Sequence, residues 1–249
     1  MTLSKNKIER YARQIVLKKI GVLGQKKLLQ SKVLVVGAGG LGSPVLLYLT
    51  AAGVGTIGII DNDNVEISNI QRQIIYNIND IKKNKSLIAA NKLKKINPDI
   101  KIVSYKNRLT KHNVNNILKK FDIIADGSDN FKTRFLINDY CLKNKKILVS
   151  GAINKFDGHV YTFNFLKKDT PCLRCFMPKI PNNNDDNCER DGVLGPIAGI
   201  IGSIQANEIL KEILKIGQSL CGFILIINSL DLSFRKVKLK KRIKCACND

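Results

Sequence analysis

The 249-residue sequence has no tryptophan, only two histidines, and aromatic residues at just 6%. Acidic residues are also scarce, since 20 Asp and Glu stand against 42 Lys and Arg and give a formal net charge of +22. Surfaces that bind nucleic acid usually combine arginine with interleaved aromatic residues. Because the lysines are spread and the aromatics sparse, we attribute the charge to a lysine-rich composition and predict no specific nucleic-acid partner. An acidic protein partner would still be attracted to such a surface.

Long apolar runs are missing as well. No segment approaches the ~18 consecutive apolar residues of a membrane-spanning helix, and residues Met1 to Arg10 are polar rather than leader-like. We therefore expect a cytoplasmic protein with no membrane partner. The length allows one large α/β domain with a sizeable core, and no internal repeat or low-complexity linker divides the chain. We expect a single domain over residues 1–249.

The chain is organised around the stretch from Val33 to Ser43, in which an apolar run leads into a glycine-rich loop. Such a run predicts a buried parallel strand followed by a tight turn. The apolar segment from Pro44 to Ala52 then predicts a helix with Ser43 as its N-cap. Glycines before a helix N-terminus favour a bound phosphate. The loop glycines are Gly37, Gly39, Gly40 and Gly42.

Carboxylates follow two further apolar segments. Residues 55–60 predict a second strand, and Asp61 at its end lies about twenty residues past the glycine loop, where it can bind a ribose hydroxyl. Residues 121–125 predict another strand, which is followed by Asp126 and Asp129. An aspartate at this position can hold a Mg²⁺ ion on triphosphate oxygens. Either aspartate could instead cap the helix that follows.

Two cations accompany these strand ends. Arg72 lies in a polar loop over residues 62–73, just past a strand end where open α/β sheets bind ligands. Its planar guanidinium suits phosphate oxygens. Lys85 lies on a basic helix predicted over residues 81–96.

Alternation of strands and helices up to about residue 150 predicts an α/β fold of the Rossmann-like, doubly wound type with a mainly parallel sheet. Further strands are predicted at residues 158–165, 223–227 and 233–239. We interpret them as an antiparallel C-terminal extension of the same sheet.

The seven cysteines are odd in number, which argues against a disulfide framework. Cys172 and Cys175 form a CxxC pair, and Cys245 and Cys247 form a CxC pair. Four thiolates suit a tetrahedral Zn²⁺ ion, which would staple the C-terminus onto the sheet extension. The alternative is a set of unrelated reduced thiols.

Cys188 stands apart from these pairs, in a polar loop predicted over residues 178–191. The nearby Arg190 would lower the pKa of its thiol and favour the thiolate. A reactive nucleophile and an ordinary exposed thiol are both open on this pattern. His112 and His159 are isolated, and we assign neither a catalytic role.

Together these residues resemble the E1-like adenylyltransferases of the ThiF/MoeB/HesA group over essentially the whole chain. Within the group, the likeness is to the ThiF branch, and the MoeB branch is the alternative. The second cysteine pair is CxC here, where the group has CxxC. In the segment Asp126–Asn130, Gly and Ser replace the central pair of the group's motif. The segments that carry the resemblance, each with the group's own motif in parentheses, are Arg10–Gln14 (RYxRQ), Gly37–Gly42 (GxGGLG), Asp61 with Ser68–Gln73 (D…SNLQRQ), Lys85, Asp126–Asn130 (DCTDN) and Pro171–Cys175 (PCYRC).

The resemblance implies a homodimer that uses ATP and Mg²⁺ and contains a structural Zn²⁺. It implies adenylylation of the C-terminal glycine of a ubiquitin-like sulfur carrier: ThiS of thiamine biosynthesis, or alternatively the molybdopterin-pathway carrier. A cysteine desulfurase is the implied sulfur donor. Rival classes are an NAD-dependent oxidoreductase and a carrier-binding scaffold that has lost catalysis.

The resemblance also assigns residue roles. Arg13 would act as an arginine finger in the partner subunit's site, and Cys188 would form an acyl-disulfide link to the carrier. The implied catalytic residues are Arg13, Arg72, Lys85, Asp129 and Cys188. The implied nucleotide-binding residues are Gly37, Gly39, Gly40, Gly42, Asp61, Asn69, Arg72, Gln73, Lys85, Asp129 and Asn130. The implied zinc ligands are Cys172, Cys175, Cys245 and Cys247.

Overall fold

The structure is a computed structural model, which describes residues 3–180, 192–243 and 245. Its strands are β1 (Lys32–Val36), β2 (Thr56–Ile60), β3 (Lys101–Tyr105), β4 (Ile123–Asp126), β5 (Ile147–Asn154), β6 (Asp157–Asn164), β7 (Phe223–Asn228) and β8 (Ser233–Lys238). Its helices are α1 (Lys5–Arg10), α2 (Ala12–Ile15), α3 (Gly21–Gln30), α4 (Gly42–Ala52), α5 (Lys85–Ile96), α6 (Val114–Leu118), α7 (Phe131–Lys143), α8 (Leu173–Phe176) and α9 (Gly195–Leu214). Short 3₁₀ helices cover Ile67–Asn69 and Ile78–Asp80.

The strands form one sheet in the order β3-β2-β1-β4-β5-β6-β7-β8. The pairs from β3 to β5 are parallel, and those from β5 to β8 are antiparallel. The predicted doubly wound sheet with an antiparallel C-terminal extension is therefore confirmed. The strand order reverses between β1 and β4, which is where open α/β sheets bind ligands. The assignment of residues 1–249 to a single domain stays a prediction.

Both faces of the central parallel strands β1, β2 and β4 are buried, which explains why these strands are mainly apolar runs. Val33 and Val35 of β1 pack into a core with α4, α5 and α9. Leu34 and Val36 of the same strand pack into a second core with α6 and α7. Gly58, in β2, gives Phe121 room beneath the sheet, because a Cβ at that glycine would lie 2.3 Å from the Phe121 ring.

Three local predictions about helix starts are wrong. Helix α4 begins at Gly42 with Leu41 as N-cap, and Ser43 does not cap it. Instead the Ser43 hydroxyl donates to the carbonyl of Gly39 (2.7 Å), because the chain already turns into the helix at the glycines. Helix α5 begins at Lys85 rather than at residue 81, since the Asn84 side chain caps it. Neither Asp126 nor Asp129 caps α7, because Asn130 does so.

Within the described ranges, no helix combines the length and the apolar character that crossing a membrane requires.

A substitution of Gly58 tests this packing. A Cβ there would lie 2.3 Å from Phe121 Cζ and 2.8 Å from Leu34 Cδ1, and both side chains are fully buried. We expect Gly58→Ala to lower the free energy of unfolding by about 1–3 kcal/mol through overpacking. Urea denaturation measures this change.

Gly199→Ala is the matched control, because a Cβ at Gly199, within α9, meets nothing within 4 Å. We expect it to leave stability unchanged or to raise it by about 0.5–1 kcal/mol, since alanine favours helix. Equal effects of the two substitutions would contradict the packing of Gly58 against Phe121.

Candidate functional site

A cavity of about 600 Å³ opens at the carboxyl ends of β1, β2 and β4. Val36, Ile60 and Gly127 mark the three strand ends on its wall. Its volume is that of an ordinary small-molecule site. All but one of the nucleotide-binding residues named above line it: Gly37, Gly39, Gly40, Asp61, Asn69, Arg72, Gln73, Lys85, Asp129 and Asn130.

The glycine loop is a tight backbone turn. Gly37 has φ +88°, and a Cβ there would lie 2.8 Å from the carbonyl oxygen of Gly127. A Cβ on Gly42, the implied residue outside the cavity lining, would lie 1.9 Å from the carbonyl oxygen of Gly37. A side chain at Gly37 would push the loop away from the segment that follows β4, and one at Gly42 would force the turn itself open. The glycines therefore keep the loop close to β4, beside the N-terminus of α4, where an anion is favoured.

The carboxylate of Asp61 is held in place by the backbone. One oxygen accepts from the N–H of Ala38 (2.8 Å) and the other from the N–H of Asp63 (2.9 Å). Burial raises the pKa of Asp61, while these N–H groups and the nearby Lys85 act in the opposite direction. Each oxygen keeps a lone pair for a further donor. The arrangement suits a hydroxyl that donates to a fixed carboxylate.

Two cations line the cavity from the segment after β2. Lys85 is buried at the start of α5, and its Nζ lies 3.4 Å from an Asp63 oxygen. The Asp63 side chain is 57% exposed, so water weakens this ion pair. Arg72 is half-buried and donates to the carbonyl of Ser68 (3.1 Å). Both cations are placed to meet an anion in the cavity.

Gln73 offers an unpaired acceptor. The residue is buried, and its Oε1 has no hydrogen-bond partner among the described residues. Its Nε2 lies 3.6 Å from the position that a Cβ on Gly39 would take. A buried acceptor without a donor costs free energy, which a ligand donor would recover. This orphaned oxygen fits a cavity that holds a polar ligand.

The two aspartates at the carboxyl end of β4, Asp126 within the strand and Asp129 after it, have different environments. Asp126 is 1% exposed and accepts from the backbone N–H of Ser128 (3.0 Å) and the hydroxyl of Ser150 (2.7 Å). Its carboxylate is thus committed to the fold. Asp129 is exposed on the cavity wall and accepts from Asn130 Nδ2 (3.2 Å). Of the two, Asp129 is the carboxylate available to a cation.

Sequence reasoning missed Arg134, which lines the cavity from the first turns of α7. It is buried, donates to the carbonyls of Ser128 and Gly151 (2.7 Å to the latter), and lies 3.7 Å from an Asp126 oxygen. Near a helix N-terminus the helix dipole disfavours a cation. An arginine in the first turns of a predicted helix was therefore the sequence signal for a structural role, because such an arginine needs acceptors from elsewhere in the fold.

A single chain does not bring Arg13 to this cavity. Arg13 is exposed on α2 and lines a separate concavity of about 450 Å³, together with Tyr48 of α4 and Asn207 of α9. Cys188 lies outside the described residues, so its sulfur-transfer role stays a prediction.

A second cluster joins three of the four predicted zinc ligands. The Sγ atoms of Cys172, Cys175 and Cys245 lie 4.0, 3.6 and 3.5 Å apart. The backbone N–H of Arg242 donates to the sulfur of Cys175 (3.5 Å). Burial, with the neighbouring Cys175, raises the pKa of the Cys172 thiol to about 12.

Three converging sulfurs in a buried position fit a soft divalent ion, whose charge would favour the thiolates. They are brought together from the CxxC helix and the C-terminus. The remaining predicted ligand, Cys247, lies outside the described residues.

The chain matches the ThiF family over residues 11–248. It is 42% identical over 254 residues to the sulfur carrier protein adenylyltransferase of Thermus thermophilus, with 100% of this chain and 94% of that protein covered. It is 46% identical over 240 residues to the probable molybdopterin-synthase adenylyltransferase of Porphyra purpurea, covering 96% of this chain but 62% of that protein.

Among solved structures, E. coli MccB with MccA-N7isoASN superposes with a TM-score of 0.85 over 100% of this chain and 76% of that one. At 22% identity this likeness shows the fold alone. The family match and the T. thermophilus relative settle the assignment: the chain belongs to the ThiF family.

Proposed function

We propose that this chain uses ATP to adenylylate the C-terminal glycine of a ubiquitin-like sulfur carrier. The family and its relatives support an adenylyltransferase. The observation that carries the proposal is the composition of the cavity lining. One cavity is lined by the glycine loop, the fixed carboxylate of Asp61, the cations Arg72 and Lys85, and the exposed Asp129. These residues suit a nucleoside triphosphate better than a nicotinamide cofactor. A scaffold that has lost catalysis would not need them.

The proposed reaction transfers the adenylyl group of ATP to the carrier. An oxygen of the carrier's terminal carboxylate attacks the α-phosphorus of ATP, the bond from that phosphorus to the β-phosphate bridging oxygen breaks, and pyrophosphate leaves. The product is an acyl-adenylate that a sulfur nucleophile can attack. Positioning and charge neutralisation dominate such transfers.

Each residue then has a defined task. The glycine loop and the N-terminus of α4 would bind phosphate, and Asp61 would accept a hydrogen bond from the ribose. Arg72 and Lys85 would neutralise phosphate oxygens, and Lys85 can leave the weak ion pair with Asp63 to do so. Asp129 would hold Mg²⁺, which supplies further neutralisation of the triphosphate.

For the carrier, we propose the ThiS type of thiamine biosynthesis, with a cysteine desulfurase as sulfur donor. The alternative is the molybdopterin-synthase type, which the name of the P. purpurea relative favours. ATP–pyrophosphate exchange with both purified carriers, run side by side, distinguishes them: the true carrier stimulates exchange at the lower concentration. Exchange with neither carrier would contradict the proposed function itself.

Asp129→Ala tests the metal-binding carboxylate. Because Asp129 is exposed, the substitution should leave the fold intact. Loss of one of the few groups that can hold Mg²⁺ should lower carrier-stimulated pyrophosphate exchange by about 10²-fold or more. Thermal unfolding checks that the variant is folded.

Asp122→Ala is the matched control, since Asp122 is also exposed but lies before β4, at the opposite end of that strand. We expect exchange by this variant at the wild-type rate. Undiminished exchange by Asp129→Ala would remove Asp129 from the mechanism.

We also propose that Arg13 acts in the site of a second subunit. In its own chain it lies on α2, away from the cavity. Large apolar side chains nearby are exposed, which favours a protein contact on this face. They are Val16 (71% exposed), Leu17 (54%), Leu23 (74%) and Tyr48 (56%).

Mixing two inactive variants tests this arrangement. Arg13→Ala and Asp129→Ala should each be inactive, but a heterodimer of the two restores one complete site. After full subunit exchange we expect about a quarter of the wild-type rate of pyrophosphate exchange, because half of the dimers are mixed and each has one intact site. Lys18→Ala, also exposed on this segment, should remain active by itself. No recovery despite proven subunit exchange would contradict a finger supplied in trans.

We propose that Cys172, Cys175, Cys245 and Cys247 hold one Zn²⁺ per chain. Elemental analysis should find one zinc per wild-type chain and none in Cys172→Ser. Loss of the metal should lower the melting temperature clearly and change the affinity for ATP little, because the cluster lies outside the cavity lining. Cys221→Ser is the control, since Cys221 is half-buried and outside the cluster, and it should keep its zinc. Wild-type protein purified without chelator and found free of zinc would refute the site.

A further inference from the structure

Tyr76 places a single hydroxyl group between two segments that line the cavity. The residue is 5% exposed, and its hydroxyl donates to the carbonyl of Ala38 in the glycine loop (2.8 Å). The hydroxyl also lies 3.1 Å from the carbonyl of Lys85, the first residue of α5. Because a hydroxyl carries one proton, the two carbonyls share it. The glycine loop and the start of α5 therefore meet at one oxygen atom.

Neighbouring groups hold the Tyr76 ring in place and keep its hydroxyl protonated. The ring packs in the core with α4, α5 and α9, and the backbone N–H of Tyr76 donates to the carbonyl of Gln73 (3.0 Å). Lys92 Nζ lies 6.0 Å from the ring centroid and forms an ion pair with Asp80. Burial raises the pKa of Tyr76 well above its usual value, and the carboxylates of Asp61 and Asp80 act in the same direction. The hydroxyl is therefore a hydrogen-bond donor at every pH near neutrality.

The bond from Tyr76 to Ala38 fixes the orientation of the peptide group between Ala38 and Gly39. This peptide is trans, so its carbonyl and its N–H point in opposite directions. The carbonyl is turned to Tyr76 in the core, so the N–H of Gly39 points away from the core, and Gly39 lines the cavity. A phosphate is bound by N–H groups and repelled by carbonyl oxygens. The hydroxyl thus selects the peptide orientation that an anion requires.

The same peptide can turn if the hydroxyl is removed. Glycine accepts a wide range of backbone angles, so Gly39 allows the peptide before it to rotate once the Ala38 carbonyl has lost its donor. The N–H of Ala38, which donates to Asp61 (2.8 Å), belongs to the preceding peptide and is not part of this rotation. Loss of the hydroxyl therefore affects the phosphate side of the cavity and spares the carboxylate of Asp61.

The second carbonyl sets the position of Lys85. The backbone N–H of Lys85 donates to the carbonyl of Asp63 (2.9 Å), and its own carbonyl faces the Tyr76 hydroxyl. The backbone of Lys85 is thus fixed relative to the glycine loop, while its Nζ forms the weak ion pair with Asp63. The ammonium group can move to a phosphate from a fixed base.

We propose that Tyr76 is a positioning residue for the nucleotide phosphates, which sets the N–H of Gly39 and the backbone of Lys85 relative to each other through one hydroxyl group. This inference rests on the proposed function, because it takes ATP as the ligand of the cavity. Tyr76 acts through these two residues, since it lies behind the cavity lining and not on it. Its contribution is confined to the phosphates, and binding of the adenosine part does not depend on it.

Tyr76→Phe tests the proposal, because it removes the hydroxyl and keeps the ring that packs in the core. Titration calorimetry of the full chain, without carrier, gives the dissociation constants of ATP with Mg²⁺ and of adenosine. We expect the affinity for ATP to fall about tenfold and the affinity for adenosine to stay unchanged. A fold that is merely destabilised would bind both ligands on a smaller fraction of the molecules and lower both apparent affinities equally.

Tyr140→Phe is the matched control. Tyr140 is also buried, and its hydroxyl lies 3.3 Å from Asn115 Oδ1, away from the cavity lining. We expect this variant to bind ATP and adenosine as the wild type does. Thermal unfolding should find both variants folded, with a lower melting temperature for Tyr76→Phe because the Ala38 carbonyl has lost its donor.

The outcomes are distinct. Wild-type affinity for ATP in Tyr76→Phe overturns the positioning role and leaves the proposed function intact. Equal losses of affinity for ATP and adenosine make Tyr76 a structural residue, which also overturns the proposal, as does a selective loss of ATP affinity in Tyr140→Phe. If the wild type binds ATP but exchanges pyrophosphate with neither carrier, the proposed function fails, and the two dissociation constants still decide the role of Tyr76.

Discussion

The candidate site depends on the close approach of two backbone segments at the ends of adjacent strands. β1 and β4 pair in parallel, so the loops that follow them meet at the same edge of the sheet. At Gly37 the distance leaves no room for a side chain, because a Cβ would lie 2.8 Å from the Gly127 carbonyl oxygen. This contact sets the glycine loop beside the loop that carries Asp129, so that one cavity is lined by both.

A buried polar network stabilises the second of these loops. Asp126 and Arg134 form an ion pair with a 3.7 Å separation, and both also bond to neutral partners from β5 and its surroundings. Gln205 of α9 adds a bond from its Nε2 to the carbonyl of Asp126 (2.9 Å). These contacts from β5, α7 and α9 fix the position of Asp126 in the core. Asp129, which follows, stays exposed because Asp126 and Asn130 already supply the structural hydrogen bonds of the loop.

The surface of the molecule divides into regions with different requirements. The cavity wall combines a fixed carboxylate at Asp61 with the cations Arg72 and Lys85, which is suited to a charged nucleotide. The face around Arg13 instead exposes apolar side chains.

The sequence by itself determined the strands, their mainly parallel pairing and the glycine loop followed by Asp61. Continuous apolar runs and their order along the chain are local properties, and they suffice for these features. It also placed Cys172 and Cys175 together, since a CxxC spacing brings two sulfurs to one turn. Helix starts were less predictable, because Ser43 and Asn84 are both capable caps, yet the geometry of the preceding loop makes only Asn84 cap its helix.

Only the tertiary structure decided which of Asp126 and Asp129 is free. The two carboxylates are equivalent in sequence, and the difference arises from Ser150 and Arg134, which belong to other elements. The tertiary structure likewise brought Cys245 to within 3.6 Å of Cys172 and kept Arg13 away from its own cavity. These outcomes depend on contacts between segments far apart in the chain, and a local pattern carries no information on where a remote partner lies.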